Sequence, residues 1–142
     1  MACTKRSLVI RGWLVGCGVA TGVFGAFALV VIGMAQGIHS IRFAGYVLAL
    51  LFPLLLVFLS ICAFTGIPAA AAIWLSEKLR IQSALFFGAF GAAMGALSHL
   101  IFLGSSLTPS WPVFVLFAVA GLAAGMAYWR IAGRYAGALL AR

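Results

Sequence analysis

The chain has 142 residues, 66% of them hydrophobic and 7% charged, with a formal net charge of +8. A soluble globular domain carries roughly 25% charged residues, so this composition excludes a water-soluble fold and makes lipid the solvent. The length allows about four spans of ~20 residues, with short connections and no separate soluble domain.

The predicted fold is therefore an all-α integral membrane protein with four transmembrane helices and short loops. In chain order, the first span is expected over residues 12–36. It follows Lys5, Arg6 and Arg11. Leu14-Val15-Gly16-Cys17 resembles a lipoprotein cleavage box, but Arg11 interrupts the apolar stretch such a signal needs, and the hydrophobic run continues far past Cys17. An uncleaved span is the expectation. After a polar break at residues 36–42, the second apolar run covers residues 43–75. As one helix it would be ~50 Å long against ~30 Å of hydrocarbon. A kink at Pro53 or Pro68, a tilt, or an end lying in the interface is expected. The stretch "SEKLR" at residues 76–80 holds the only carboxylate side chain of the chain, Glu77, in the loop before a third span over residues 81–103. An uncharged loop, residues 104–110, leads to a fourth span over residues 111–130. A short helical tail, residues 131–142, follows.

Charge gives the direction. Lys5, Arg6, Arg11, Lys78, Arg80, Arg130, Arg134 and Arg142 fall on one side and Arg42 alone on the other. The positive-inside rule places both termini in the cytoplasm, with Trp13, Trp74 and Trp129 at the inner interface and Trp111 at the outer one. The same placement argues against nucleic acid as a partner, because the basic residues flank spans rather than forming a soluble face. They meet anionic lipid head groups instead. Arg130 and Arg134, one helical turn apart, read as a phosphate anchor, or as a dock for an acidic surface of a partner protein.

Small-xxx-small pairs occur at Gly12/Gly16, Gly18/Gly22, Gly33/Gly37, Gly91/Gly95, Gly121/Gly125 and Gly133/Gly137. In lipid, helices gain packing energy where small residues let backbones approach. Spans one, three and four carry these pairs, whereas span two is bulky ("LFPLLLVFL"). Close contacts among one, three and four are expected, with much of span two facing lipid or a partner. A faint repeat, "FGAF" at residues 24–27 and 87–90, is the pattern a duplicated two-helix hairpin would leave.

Chemistry is sparse. The span interiors offer Thr21, Ser60, Cys62, Thr65, Ser83 and Ser98, small groups able to bond back to their own helix. No Asp, Glu, Lys or Arg stands near a midplane, so neither catalysis nor carboxylate coupling is expected. Glu77, beside Lys78 and Arg80 in water, lacks the desolvation of a coupling group. The spacing of Cys3, Cys17 and Cys62 matches no disulfide or metal motif. His39 and His99 fall at similar depths near the outer face. Two such imidazoles can hold haem b or a metal, or hydrogen-bond a quinone. The plainer reading is a solvated loop histidine and a helix-end histidine bonded to a carbonyl. No carboxylate is near to orient either ring, so no cofactor is expected.

The segment "GLAAGMAYWRIAGRYAG", residues 121–137, resembles the end of uncharacterised small four-helix inner-membrane proteins of alphaproteobacteria. "GIPAAAAIWLSEKLRIQS", residues 66–83, is similar to their central loop. The resemblance implies a bacterial inner membrane and no particular chemistry. It does not extend to four-helix multidrug exporters, which need a carboxylate in the first span, or to small fluoride channels, whose glycine-arginine signature is absent. The leading expectation is a non-catalytic accessory or structural subunit of a larger inner-membrane complex of electron-transfer, photosynthetic or transport type. The alternative is a small homo-oligomeric channel or transporter for a neutral or lipid-like solute. A third reading is a haem b or quinone-binding subunit through His39 and His99.

Overall fold

Hydrocarbon offers no partner to a backbone N–H or C=O, so apolar runs in lipid must satisfy their backbone internally, as helices do. The computed structural model describes residues 2–36, 41–79, 81–103 and 111–135, and these form four helices with no strand among them. The helices are α1 (Ala2–Gln36), α2 (Ile41–Leu79), α3 (Ala84–Leu103) and α4 (Trp111–Ile131). All four are long and apolar enough to cross a membrane.

Several boundaries differ from expectation. Helix α1 begins at Ala2, ahead of residue 12. Lysine and arginine are good helix formers whose long stems reach water, so the basic residues mark the edge of the lipid and not the end of the helix. Helix α2 runs without a break through Pro53 and Pro68 for 39 residues, about 58 Å at 1.5 Å per residue. It takes in Glu77, which belongs to its last turn and not to a loop. The end of α2 is closed when the Ile81 N–H donates to the Ser76 carbonyl at 2.9 Å. This bond spans five residues, as in a Schellman-type helix end. Residues 81–83 lie in neither helix, and α3 starts at Ala84 rather than at residue 81, with the Phe87 N–H reaching the Ser83 carbonyl at 3.5 Å. Helix α4 ends at Ile131, and a short 3-10 turn, Gly133–Tyr135, is the described part of the expected tail. The loop 104–110 and residues 136–142 lie outside the described residues.

Helix α4 is the centre of the bundle. It packs against α3 on one side and α1 on the other, and α1 in turn carries α2. The α3–α4 contact is a meeting of two backbones. A Cβ placed on Gly91 would fall on the Gly121 carbonyl and 3.2 Å from the Gly125 Cα. One placed on Gly95 would meet the Phe117 carbonyl, and one on Gly125 the Phe87 carbonyl. The α1–α4 contact is slightly wider: the Cβ position of Gly12 is 3.2 Å from both Ala132 and the Tyr128 ring, and that of Gly16 is 3.2 Å from the Ala124 carbonyl. Helix α2 meets α1 through larger groups, with Leu54 at 3.3 Å from the Gly25 Cβ position and Trp13 Nε1 donating to Thr65 Oγ1 at 3.4 Å.

Not every glycine pair packs. Around the Cβ positions of Gly18 and Gly22 nothing lies within 4 Å, so these two do not join helices among the described residues. Their face of α1 points away from both α2 and α4. Gly33 lies in the last turn of α1, and its pair Gly37 falls outside the described residues, as does Gly137. A Cβ placed on Gly133 would instead stand 2.8 Å from the Phe87 ring.

Among the described residues the buried hydrophobic side chains are small (Cys17, Ala20, Ala72, Ala120 and Ala132) apart from Phe87, and the buried polar ones are Ser76 and His99. Phe87 anchors the start of α3 against Tyr128, with ring centroids 5.3 Å apart. The same end of the bundle is also tied by Trp129, whose Nε1 donates 2.8 Å to the Gln82 carbonyl in the α2–α3 connection. A neutral hydrogen bond contributes ~0.5–1.5 kcal/mol, and an exposed one falls at the low end. Trp129→Phe is expected to lower the denaturation midpoint in detergent slightly, with all four helices retained by circular dichroism. An unchanged midpoint would mean that water replaces this bond without loss.

Candidate functional site

Helices α2 and α3 are both held to the α1–α4 pair, but they have no comparable contact with each other. The gap between them is a partly open cavity of about 680 Å³. Its floor is built from small residues, Gly16 and Ala20 of α1 with Ala120 and Ala124 of α4. Its walls are bulky, with Leu56 and Phe64 on α2 facing Phe90 and Met94 on α3. Small residues that let α1 meet α4 thus also leave room above their seam.

The hydroxyl groups on this surface are already engaged. Ser60 Oγ donates to the Leu56 carbonyl at 2.8 Å, Thr65 Oγ1 to the Ile61 carbonyl at 2.7 Å and Ser98 Oγ to the Met94 carbonyl at 2.8 Å. Thr21 on α1 likewise bonds the Cys17 carbonyl at 2.9 Å. Each hydroxyl thus spends its proton on its own helix one turn back. Thr65 additionally accepts from Trp13 and lies 3.8 Å from Cys17 Sγ. Cys17 and Cys62 are both free thiols. Such a wall suits hydrocarbon, since a polar solute entering it would leave water for few new hydrogen bonds.

His99 lies outside the groove lining, at the α3–α4 seam near the C-terminal end of α3. Its ring is 9% exposed and stands edge-on to Phe114 and to Phe117, each with centroids 5.5 Å away. Its Nδ1 is buried with no hydrogen-bond partner among the described residues, so the expected bond to a backbone carbonyl is not what holds that atom. His39 lies outside the described residues. No group of three or more His, Cys, Asp or Glu capable of holding a metal ion occurs among the described residues.

The basic end of the bundle is the third feature. Arg11, Lys78, Arg130 and Arg134 are exposed there. Arg130 lies in the last turn of α4, where a cation complements the carbonyl end of the helix. Arg134 follows in the 3-10 turn. Lys78 Nζ stands 5.0 Å over the Trp74 ring. Because Gly12 packs against Tyr128 and Ala132, Arg11 of α1 and Arg130 of α4 come to the same level.

Sequence reasoning missed the groove, and it missed Gly25 and Gly88 as packing positions. A Cβ placed on Gly88 would be 3.5 Å from Met126 Cγ, and one placed on Gly125 would be 3.3 Å from the Gly88 Cα. The spacing of Gly88, three and seven residues from Gly91 and Gly95, was the available clue.

These features define a class: a multi-pass, all-helical membrane protein with an apolar groove, a basic end and one orphaned histidine nitrogen. No protein-family model, curated protein or solved structure matches the chain.

Proposed function

We propose that the chain is a non-catalytic accessory or structural subunit of a larger bacterial inner-membrane assembly, with both termini in the cytoplasm. The observation that carries this reading is the isolation of α2. Its most apolar eighteen-residue stretch has no buried residue, and its principal neighbour is α1. Leu48, Leu51, Phe52, Leu55 and Leu59 are all exposed and recur at helical spacing, forming one continuous stripe. A stripe of bulky side chains is the complement of the small-residue faces by which membrane helices associate.

Gentle purification tests the assembly. Larger membrane subunits are expected to co-purify in fixed proportion, and a homogeneous small oligomer fully active alone would overturn the reading. The uneven distribution of Lys and Arg supports the orientation. Cytoplasm-active reporters fused at either terminus are expected to be active, and an inactive, externally placed terminus would reverse it.

The groove favours one second reading, a small homo-oligomeric channel or transporter for a lipid-like solute. Flux into proteoliposomes holding this chain alone would establish it over the first.

A further inference from the structure

We propose that Cys17 of α1 and Cys62 of α2 form an oxidation site, where a lipid-borne hydroperoxide joins the two thiols into one disulfide between the helices. This goes beyond the assembly reading and does not depend on it.

The register of the two helices sets the pair. Helices α1 and α2 run antiparallel, so a step up one is a step down the other. The Gly66 Cβ position faces the Trp13 ring at 3.9 Å, and the Gly25 Cβ position faces Leu54 at 3.3 Å. Cys17 is one turn past Trp13, and Cys62 is one turn before Gly66. Cys17 likewise lies about two turns before Gly25, and Cys62 about two turns past Leu54. Residues four apart share one face of a helix, so the two cysteines occupy one layer between two observed contacts. The thiols are hydrogen-bonded to each other across this seam. Spacing along the chain gave no sign of the pair, because antiparallel register and not sequence distance joins them.

Hydrogen-bond accounting places the protons. Thr65 Oγ1 spends its single proton on the Ile61 carbonyl and accepts from Trp13 Nε1. In its 3.8 Å contact with Cys17 Sγ, the thiol is then the donor. The lone pairs of the Cys17 sulfur are left to face Cys62. Cys17 is 4% exposed, whereas Cys62 is half-buried, so an oxidant reaches Cys62 first. Both lie within apolar spans, which charged, water-borne oxidants do not enter. The class that fits dissolves in hydrocarbon and takes two electrons, as a lipid hydroperoxide does.

The Cys62 sulfur attacks the terminal peroxide oxygen. The O–O bond breaks, the thiol proton passes to the departing oxygen to give an alcohol, and Cys62 becomes a sulfenic acid. The Cys17 sulfur then attacks the Cys62 sulfur. The S–O bond breaks, and the hydroxyl leaves with the Cys17 proton as water. The two sulfurs lose one electron each, and the peroxide oxygens gain both. The product ties α2 covalently to α1, its principal neighbour, at a seam whose Trp13–Thr65 hydrogen bond is 3.4 Å long.

The test treats the purified chain, carrying Cys3→Ser and reconstituted in liposomes, with cumene hydroperoxide. Alkylation after unfolding is expected to fall from two labels per chain, on Cys17 and Cys62, to none. The Cys17 and Cys62 peptides are expected to be linked within one chain. A thiol reductant is expected to restore both labels, and the linked chain is expected to melt at a higher temperature than the reduced one. Glutathione disulfide, charged and confined to water, is expected to leave both labels in place. In Cys17→Ser the reaction is expected to stop at a sulfenic acid on Cys62, trapped by dimedone. If that variant fails to fold, the peptide map of the chain with both cysteines decides. Two labels retained after peroxide overturn the proposal, as does a link between two chains or a sulfinic acid in place of the linked pair. Equal oxidation by glutathione disulfide overturns it too, because the thiols would then be open to water. None of these outcomes bears on which subunits co-purify.

Discussion

Gly91→Ala is expected to pull α3 from α4 and to cost the protein most of its resistance to denaturation. Overpacking a core with a side chain that neighbours can evade costs ~1–3 kcal/mol. Here evasion is closed, because the added methyl would fall on the Gly121 carbonyl and crowd the Gly125 Cα at 3.2 Å. Neither is the end of a flexible side chain, so the two helices themselves must separate. Separation would also strip Gly95 from the Phe117 backbone and Gly125 from the Phe87 backbone. A loss of at least ~3 kcal/mol is expected, a large share of the ~5–15 kcal/mol of a typical domain. Gly121→Ala attacks the same seam from the other side. The double variant is expected to cost little more than either single one, since neighbouring substitutions are not additive. The control is Gly18→Ala, with nothing within 4 Å of its Cβ position. There alanine is expected to be neutral or stabilising by up to ~1 kcal/mol, through helix propensity alone. Detergent-to-denaturant titrations of the two variants should therefore move in opposite directions. Equal midpoints would refute the backbone contact at Gly91.

That contrast also shows what the sequence does and does not encode in readable form. The four helices are legible because lipid leaves the backbone no other way to satisfy itself, so composition alone implies them. Their ends are less legible. Hydropathy falls at Arg11 and at Glu77, yet the helices run through both, because leaving the hydrocarbon does not end a helix. Gly18/Gly22 and Gly121/Gly125 have the same spacing, but the first pair meets open space and the second a carbonyl. A motif names a face where backbones can approach, and only the arrangement of the other helices decides whether anything comes. The groove was less legible still. It exists because α2 and α3 each find a place beside the α1–α4 pair and not beside each other, a relation that no local stretch of residues carries.

Replacing His99 by phenylalanine is expected to stabilise the isolated protein. In its neutral form the ring offers one nitrogen as donor and the other as acceptor. Either way the buried Nδ1 has left water without a partner among the described residues. Leaving such a group unpaired costs ~1–3 kcal/mol, and phenylalanine removes the cost while keeping the shape. The new ring would still stand against Phe114 and Phe117, now 5.5 Å from the imidazole, and aromatic pairs of this kind add ~0.5–1.5 kcal/mol beyond their buried area. The thermal midpoint of the purified chain should therefore rise. The assembled protein makes the informative comparison. A buried nitrogen without a partner among the described residues could pair with a group from outside the chain: a polar group of a partner subunit, a quinone oxygen accepting from its N–H, or haem iron taking its lone pair. If such a partner exists, His99→Phe will raise the stability of the isolated chain and at the same time weaken co-purification or remove a visible absorption band. If the variant instead melts lower than the natural protein, the imidazole already has a partner within the chain, and the orphaned nitrogen carries no functional meaning.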